Sequence, residues 1–468
     1  MLSRGVRQRT IDTVMKNREQ VISFMGVIVL ALVLPGILKL ANGVVRYLVG
    51  AEGRLSAIAI ETDHPLGPLP AVWRGLAQGG EDLPTFLNGN EQKVAELKPQ
   101  YIRIDHILDQ FGVVNRNSSG LTFDWSQLDR VVRQIISTKA TPFFSLSYMP
   151  AAISSGDTVA PPKDWKEWSL VVQKTIEHFS GEMGLSDVYY EVWNEPDLFG
   201  EWKMSGKKDY RTLYLYSVRG AEQAAGVKPF KIGGPATTGL YKSWVDNFFP
   251  FILKNNLRMD FYSWHRYDAD INKYTADVED VDRWIEGHPY FSNVEKIVSE
   301  LGPDNEKGGA NDTMVGAAHL AAVSRELMFK VKYGMSFAVT GSWGILDKPR
   351  SEALKVLSRL GSDRLAVTGE GTWVRAIGAL DGDTYQVLLV NYDPKGAHSE
   401  IVPVSFINLK QGNFILKRTV MGASTVSSAA ATSEAILQRE IPMAPNSIVL
   451  LELEPVNNPQ TPASNPTD

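Results

Sequence analysis

Cysteine is absent from the 468 residues. That excludes disulfides, a thiolate metal site and a cysteine nucleophile. Charge of either sign is barely in excess, with 48 Lys and Arg against 53 Asp and Glu, a net −5. So small a surplus gives no pull on nucleic acid or on an acidic polymer. Histidine numbers only 7, and His64, His178, His288, His319 and His398 form no ligand-spaced cluster. No catalytic metal and no cofactor is therefore expected. No glycine-rich phosphate fingerprint follows the first strand pattern of the body, which counts against an open nucleotide-binding sheet. No internal repeat is visible.

One long charge-free run stands at the start. Val21 to Leu38 carries no charged residue, and the apolar character resumes after Lys39 through Val45. Arg4, Arg7, Arg9, Lys16 and Arg18 precede it. A membrane-spanning helix needs ~20 apolar residues. The run and its basic flank predict a single-pass anchor over 21–45, with 1–20 cytoplasmic and the body outside the membrane. The alternative is a cleaved signal peptide and a secreted body. A signal core is usually shorter, about 7–15 residues, and no small-x-small cleavage site follows here.

From about Arg54 strand and helix patterns alternate. A strand and linker over 54–70 leads to eight predicted strands: Val72–Gln78, Tyr101–Ile104, Pro142–Ser147, Val188–Trp193, Phe230–Gly233, Phe261–His265, Glu295–Ser299 and Phe337–Thr340. Amphipathic stretches such as Asp124–Thr138, with Leu128, Val131, Val132, Ile135 and Ile136 on one face, separate them. Eight such alternations predict a (β/α)8 barrel over 71–360. After about Gly361 the helical period gives way to alternating strands with turns such as Asp381-Gly382. That predicts an antiparallel β-sandwich over 361–455, to which the strand near Leu55 adds. Residues 456–468 are rich in Pro, Asn and Thr, the composition of a disordered tail.

Chemistry concentrates at two strand tips. Tyr189-Tyr190-Glu191-Val192-Trp193 suits a packed strand. Pro196 cannot continue the ladder, so Asn194 and Glu195 fall at its C-terminal end. The seventh strand repeats the form, ending in Ser299-Glu300 before Gly302-Pro303. In a parallel barrel the C-terminal tips carry the chemistry, and strands four and seven face each other across the mouth. Two carboxyl groups flanking a sugar are what glycoside hydrolysis requires. A separation of ~5–5.5 Å gives retention through a covalent intermediate, and ~6.5–9.5 Å gives inversion.

These motifs resemble glycoside hydrolase family 39, which includes β-xylosidases, α-L-iduronidases and bacterial exopolysaccharide hydrolases. Trp193-Asn194-Glu195-Pro196-Asp197-Leu198 with Glu201-Trp202 is similar to the family's acid/base segment. Ser299-Glu300-Leu301-Gly302 is similar to its nucleophile segment. Ser147-Tyr148-Met149-Pro150, Gly233-Gly234-Pro235-Ala236 and His265-Arg266-Tyr267 follow the family's order, and Asn446-Ser447 before Val449 resembles its closing sandwich strand. Two places depart from the pattern. Arg103-Ile104-Asp105-His106 stands where the family usually has Arg-x-His, with Asp105 in the histidine position. Strand eight ends Gly341-Ser342-Trp343-Gly344 instead of in an acidic residue.

The resemblance implies Glu195 as acid/base, protonated at rest, and Glu300 as an ionised nucleophile with Tyr267 and Arg103 as donors. It implies Asn194 on the sugar's 2-hydroxyl, Trp343 as an apolar floor and Trp202 as a second stacking surface. His265 would bind a hydroxyl or serve structure, and Asp105 would meet a distal sugar or hold its loop. The function expected is a membrane-anchored retaining glycoside hydrolase on an extracellular polysaccharide, with endo action favoured. The alternatives are an exo-acting β-xylosidase-like enzyme, and a silent polysaccharide-binding protein on the same barrel.

Overall fold

Eight short strands close into a barrel: β1 (Gly75–Gln78), β2 (Tyr101–Ile104), β3 (Thr141–Leu146), β4 (Val188–Val192), β5 (Phe230–Thr237), β6 (Phe261–Tyr267), β7 (Glu295–Gly302) and β8 (Tyr333–Phe337). Each pairs in parallel with its neighbours in sequence, and β8 returns to β1. The computed structural model describes residues 53–80 and 86–456. The chain divides into two units, Met1–Ser56 and Ala57–Asp468, and the barrel lies wholly in the second.

Helices cover the barrel by the pattern their sequences carry. Ser126–Ser137 buries Leu128, Val131, Val132 and Ile135 and leaves Arg130 and Arg133 exposed. Three helices start on a side-chain cap: Asp164 accepts from the Lys166 N–H, Asp209 from Arg211 and Thr313 from Val315. Each cap satisfies a backbone donor that the helix itself cannot.

Inside, an apolar layer closes the barrel beneath the site. Tyr101, Phe143, Tyr189, Phe261, Ile297 and Tyr333 pack together. The Tyr189 ring stacks on Phe143 with centroids 5.0 Å apart. Successive inward positions along a strand are two residues apart. The next layer toward the C-terminal tips therefore holds Arg103, Ser145, Glu191 and Ser263, all buried. This layer supports the site.

Two antiparallel-rich sheets follow. The larger runs Asp363–Leu365, Val374–Asp381, Thr384–Asn391, Ile448–Pro455, Gly412–Val420 and Val426–Thr432. The smaller runs Val367–Thr368, Ile58–Glu61, Glu400–Ile407 and Ile436–Met443. Val387, Leu389, Val404, Phe406 and Leu451 belong to the core they share. This sandwich is tied to the barrel by Arg325 to Glu370 at 2.8 Å and by the Tyr392 hydroxyl, which donates to the Ala269 carbonyl at 2.7 Å.

The elements differ from expectation where glycine or irregular backbone intervenes. β8 lies at Tyr333–Phe337, ahead of the predicted Phe337–Thr340. A Cβ at Gly334 would sit 2.9 Å from Leu301 and 3.0 Å from Leu327. The glycine permits close approach within a strand. Val72–Arg74 is a 3-10 turn before β1. A hairpin, Val114–Asn117 with Gly120–Phe123, was not anticipated.

One expectation is corrected. The fold was expected to include an N-terminal transmembrane helix over 21–45; that segment lies outside the described residues, as do 1–20 and most of the tail, 457–468. No helix among the described residues is long and apolar enough to cross a membrane. The longest of them run 14 residues, about 21 Å, against a hydrocarbon core of ~30 Å. The membrane anchor, the membrane as a partner and the single-pass localisation therefore find no support among the described residues.

Candidate active site

The tip of β4 is held in an unusual backbone. Trp193 and Glu195 have φ of 74° and 43°, a region costly for side chains other than glycine. Several bonds hold them there. The Ser145 hydroxyl donates to the Trp193 carbonyl at 2.8 Å, and the Trp193 indole donates to the Phe199 carbonyl at 3.0 Å. Glu195 N–H donates to the Ala236 carbonyl at 2.9 Å. The tip thus turns Asn194 and Glu195 into one cavity.

That cavity has a volume of about 470 Å³ and opens at the C-terminal end of the barrel. Asp105, Tyr148, Asn194, Glu195, Tyr267, Glu300, Phe337 and Trp343 are among its walls. Ligand-capable atoms of Glu195, His265 and Glu300 lie within 4.8 Å of one another. An oxygen of Glu195, at the tip of β4, therefore lies no more than 4.8 Å from one of Glu300 on β7.

Donors surround Glu300. Arg103 Nη1 donates to its Oε1 at 2.8 Å, and the Tyr267 hydroxyl donates to its Oε2 at 2.7 Å. His265 Nδ1 stands 3.4 Å from Oε2. Burial pushes the Glu300 carboxyl above the usual range, and Glu195 adds to the rise. His265, Arg103 and Tyr267 pull the other way. Such a site holds a carboxylate with its charge stabilised by fixed donors. Those donors already serve both oxygens, an arrangement suited to a poised anion more than to a metal ligand. Burial pushes Tyr267 well above the usual phenol value, so it remains a donor.

Glu195 is more open, its side chain 14% exposed against 7% for Glu300. Its Oε1 lies 2.8 Å from His265 Nδ1. Burial works against charge on His265, but Glu300 and Glu195 outweigh it, and its pKa is raised. Asn194 Oδ1 accepts from Arg103 Nη2 at 2.8 Å, and its Nδ2 donates to the Tyr148 hydroxyl at 2.9 Å. An amide nitrogen carries two hydrogens, so one remains for a ligand hydroxyl.

Of the residues singled out in the sequence, Glu195, Glu300, Asn194, Tyr267, Asp105 and Trp343 line the cavity. Arg103 and His265 lie just behind it, both wholly buried. Trp202 is elsewhere: it is 2% exposed and packs on Trp193 and Trp165. Sequence reasoning gave no site role to Tyr148, Phe199, Leu198, Asn305 and Phe337 on the walls. Tyr148 carried a signal, an aromatic residue directly after the third strand. Phe337 ends β8, and the others come from loops whose course no periodicity reveals. Glu191, behind Arg103, was read only as strand.

A closed parallel barrel with carboxylates at the tips of β4 and β7 is the arrangement of a barrel-type two-carboxylate glycosidase. Within that class, the chain belongs to glycosyl hydrolases family 39, whose model matches residues 56–302. A beta-xylosidase of Geobacillus stearothermophilus is 32% identical over 159 residues, 31% of each chain. Another, from Caldicellulosiruptor saccharolyticus, is 30% identical over 189 residues, 38% of each. The matched segment spans about a third of the length of these curated relatives. Among solved structures, a GH39 enzyme from Xanthomonas axonopodis pv. citri superposes with a TM-score of 0.73 at 20% identity, covering 86% of this chain and 98% of its own. A monomeric beta-xylosidase from Caulobacter crescentus CB15 gives 0.72 at 21%, covering 86% and 100%. At such identities the superpositions speak for the fold.

Proposed function

We propose that the protein is a retaining, β-xylosidase-like glycosidase. The observation that carries this reading is the approach of Glu195 to Glu300, with an oxygen of each within 4.8 Å at one cavity. The beta-xylosidase relatives favour exo action over the endo-acting, membrane-tethered enzyme expected from sequence. A pure binding protein has no need of so costly a pair of buried carboxylates.

In this reading Glu300 attacks the anomeric carbon while Glu195 gives its proton to the departing glycosidic oxygen. The C–O bond to the leaving group breaks, and a glycosyl ester on Glu300 forms. Glu195, now anionic, takes a proton from water, whose oxygen attacks the same carbon and releases Glu300. Arg103 and Tyr267 stabilise the Glu300 carboxylate before attack and again as it leaves. Asn194 holds the 2-hydroxyl, where hydrogen bonds strengthen in the transition state. His265 orients Glu195, while Trp343 and Phe337 exclude water from the sugar's apolar face.

Proton NMR of p-nitrophenyl β-D-xylopyranoside hydrolysis tests it. The first-formed xylose should be the β anomer, and Glu300→Gln should lower kcat by roughly 10⁴-fold. First-formed α-xylose, or full activity in Glu300→Gln, overturns the mechanism.

A further inference from the structure

Glu191 is a wholly buried carboxylate that does not reach the cavity. Its Oε2 accepts from Arg103 Nε at 2.6 Å, and its Oε1 has no hydrogen-bond partner among the described residues. Arg103 in turn spends each nitrogen on a different residue: Nε on Glu191, Nη1 on Glu300 and Nη2 on Asn194. A guanidinium is planar and presents its donors in a rigid fork. Anchoring Nε therefore fixes where Nη1 and Nη2 point. One cation also faces two buried carboxylates, so its charge is divided between them.

We propose that Glu191 is a positioning residue for the nucleophile. It aims the Arg103 fork at Glu300 and Asn194, and it withholds part of the Arg103 charge from Glu300. The second effect matters chemically. A carboxylate facing the undivided charge of Arg103 would be a poorer nucleophile. Glu191 keeps Glu300 anchored yet reactive. This rests on the reading of Glu300 as nucleophile.

The prediction concerns the acidic limb of kcat/KM, which reports ionisation of the free enzyme. Glu300 is faced by Arg103 from β2, Glu195 from β4, and His265 and Tyr267 from β6. Asp105, at the tip of β2, adds to the field on Arg103. Substituting Glu191 changes only the share of Arg103 that Glu300 receives. Glu191→Gln keeps an acceptor for Nε and removes the charge. The acidic limb should move down by about one pH unit, with glycosylation slowed more than deglycosylation. Glu191→Asp keeps the charge but withdraws the acceptor by one methylene. It should leave the limb in place and lower kcat by about tenfold or more with little change in KM.

The experiment measures pH profiles and single-turnover rates of both variants with p-nitrophenyl β-D-xylopyranoside, beside Glu300→Gln. A limb unmoved in Glu191→Gln overturns the proposal. If Glu191→Gln does not fold, Glu191→Asp decides: unaltered kcat overturns the proposal, and the stated loss supports it. The reading of Glu300 fails separately, through activity in Glu300→Gln.

Discussion

Replacing Tyr267 by Phe removes one oxygen and little else. The ring keeps its edge contact with Phe337, centroids 6.5 Å apart. The Glu300 carboxylate loses a 2.7 Å donor and retains Arg103 at 2.8 Å. A hydrogen bond to a charged group contributes about 1.5–3 kcal/mol. Because Tyr267 favours the ionised carboxyl, its loss raises the Glu300 pKa further. At 1.36 kcal/mol per unit, the acidic limb of kcat/KM should rise by about 1–2 pH units. The two chemical steps should respond unequally. In the proposed second step Glu300 would depart as an anion without the phenol's stabilisation. Deglycosylation should slow by about 10–100-fold. Stopped-flow with an activated p-nitrophenyl xyloside should then show a burst of nitrophenol followed by a slow steady rate. Circular dichroism controls for folding. A folded variant with an unmoved limb and no burst refutes the argument.

Other perturbations probe stability. Arg103→Met leaves Glu191 and Glu300 buried without their cation, and urea unfolding should show a loss of about 3–5 kcal/mol. His319, fully buried, has its pKa lowered to about 4 because burial disfavours its charged form, against 6.5 ordinarily. Its unfolded form binds the proton first, so its contribution is complete above about pH 6.5. About 3 kcal/mol should be lost as pH falls toward 4. His319→Gln should flatten that part of the stability–pH curve, as calorimetry between pH 7 and 4 would read. A Cβ on Gly220 would lie 2.2 Å from the Ser169 carbonyl oxygen. Gly220→Ala should force apart the two helices Trp165–Ile176 and Tyr210–Gln223 and cost about 1–3 kcal/mol in urea unfolding.

The strand tips show how far local pattern reaches. Tyr189–Val192 is apolar at alternate positions and stops at Pro196, so Glu195 had to stand at a strand end. Glu300 followed by the same logic from its own strand. Trp202 shows the opposite case. A tryptophan seven residues past Glu195 could face the cavity or the core, and periodicity cannot decide between them in a loop. The chain turns after Phe199 so that Trp202 packs behind Trp193. The apolar run at 21–45 carried a sequence signal of its own, but no membrane-crossing helix stands among the described residues to support the anchor.

Alternation of strand and helix, read residue by residue, already pointed to a parallel α/β architecture, because each amphipathic segment must bury one face against the next, and the missing phosphate fingerprint favoured the barrel over an open sheet. The breaks after the fourth and seventh strands placed Glu195 and Glu300 at strand tips. What this left open was every distance. Closure of the barrel, with β8 returning to β1, brought β4 and β7 to face one another and set Glu195 near Glu300. The same closure brought Arg103 from β2 between Glu191 and Glu300, residues far apart in the chain. Local propensity acts over a few residues, whereas a charge network depends on which strands meet. Only the folded chain could show that one arginine serves three partners.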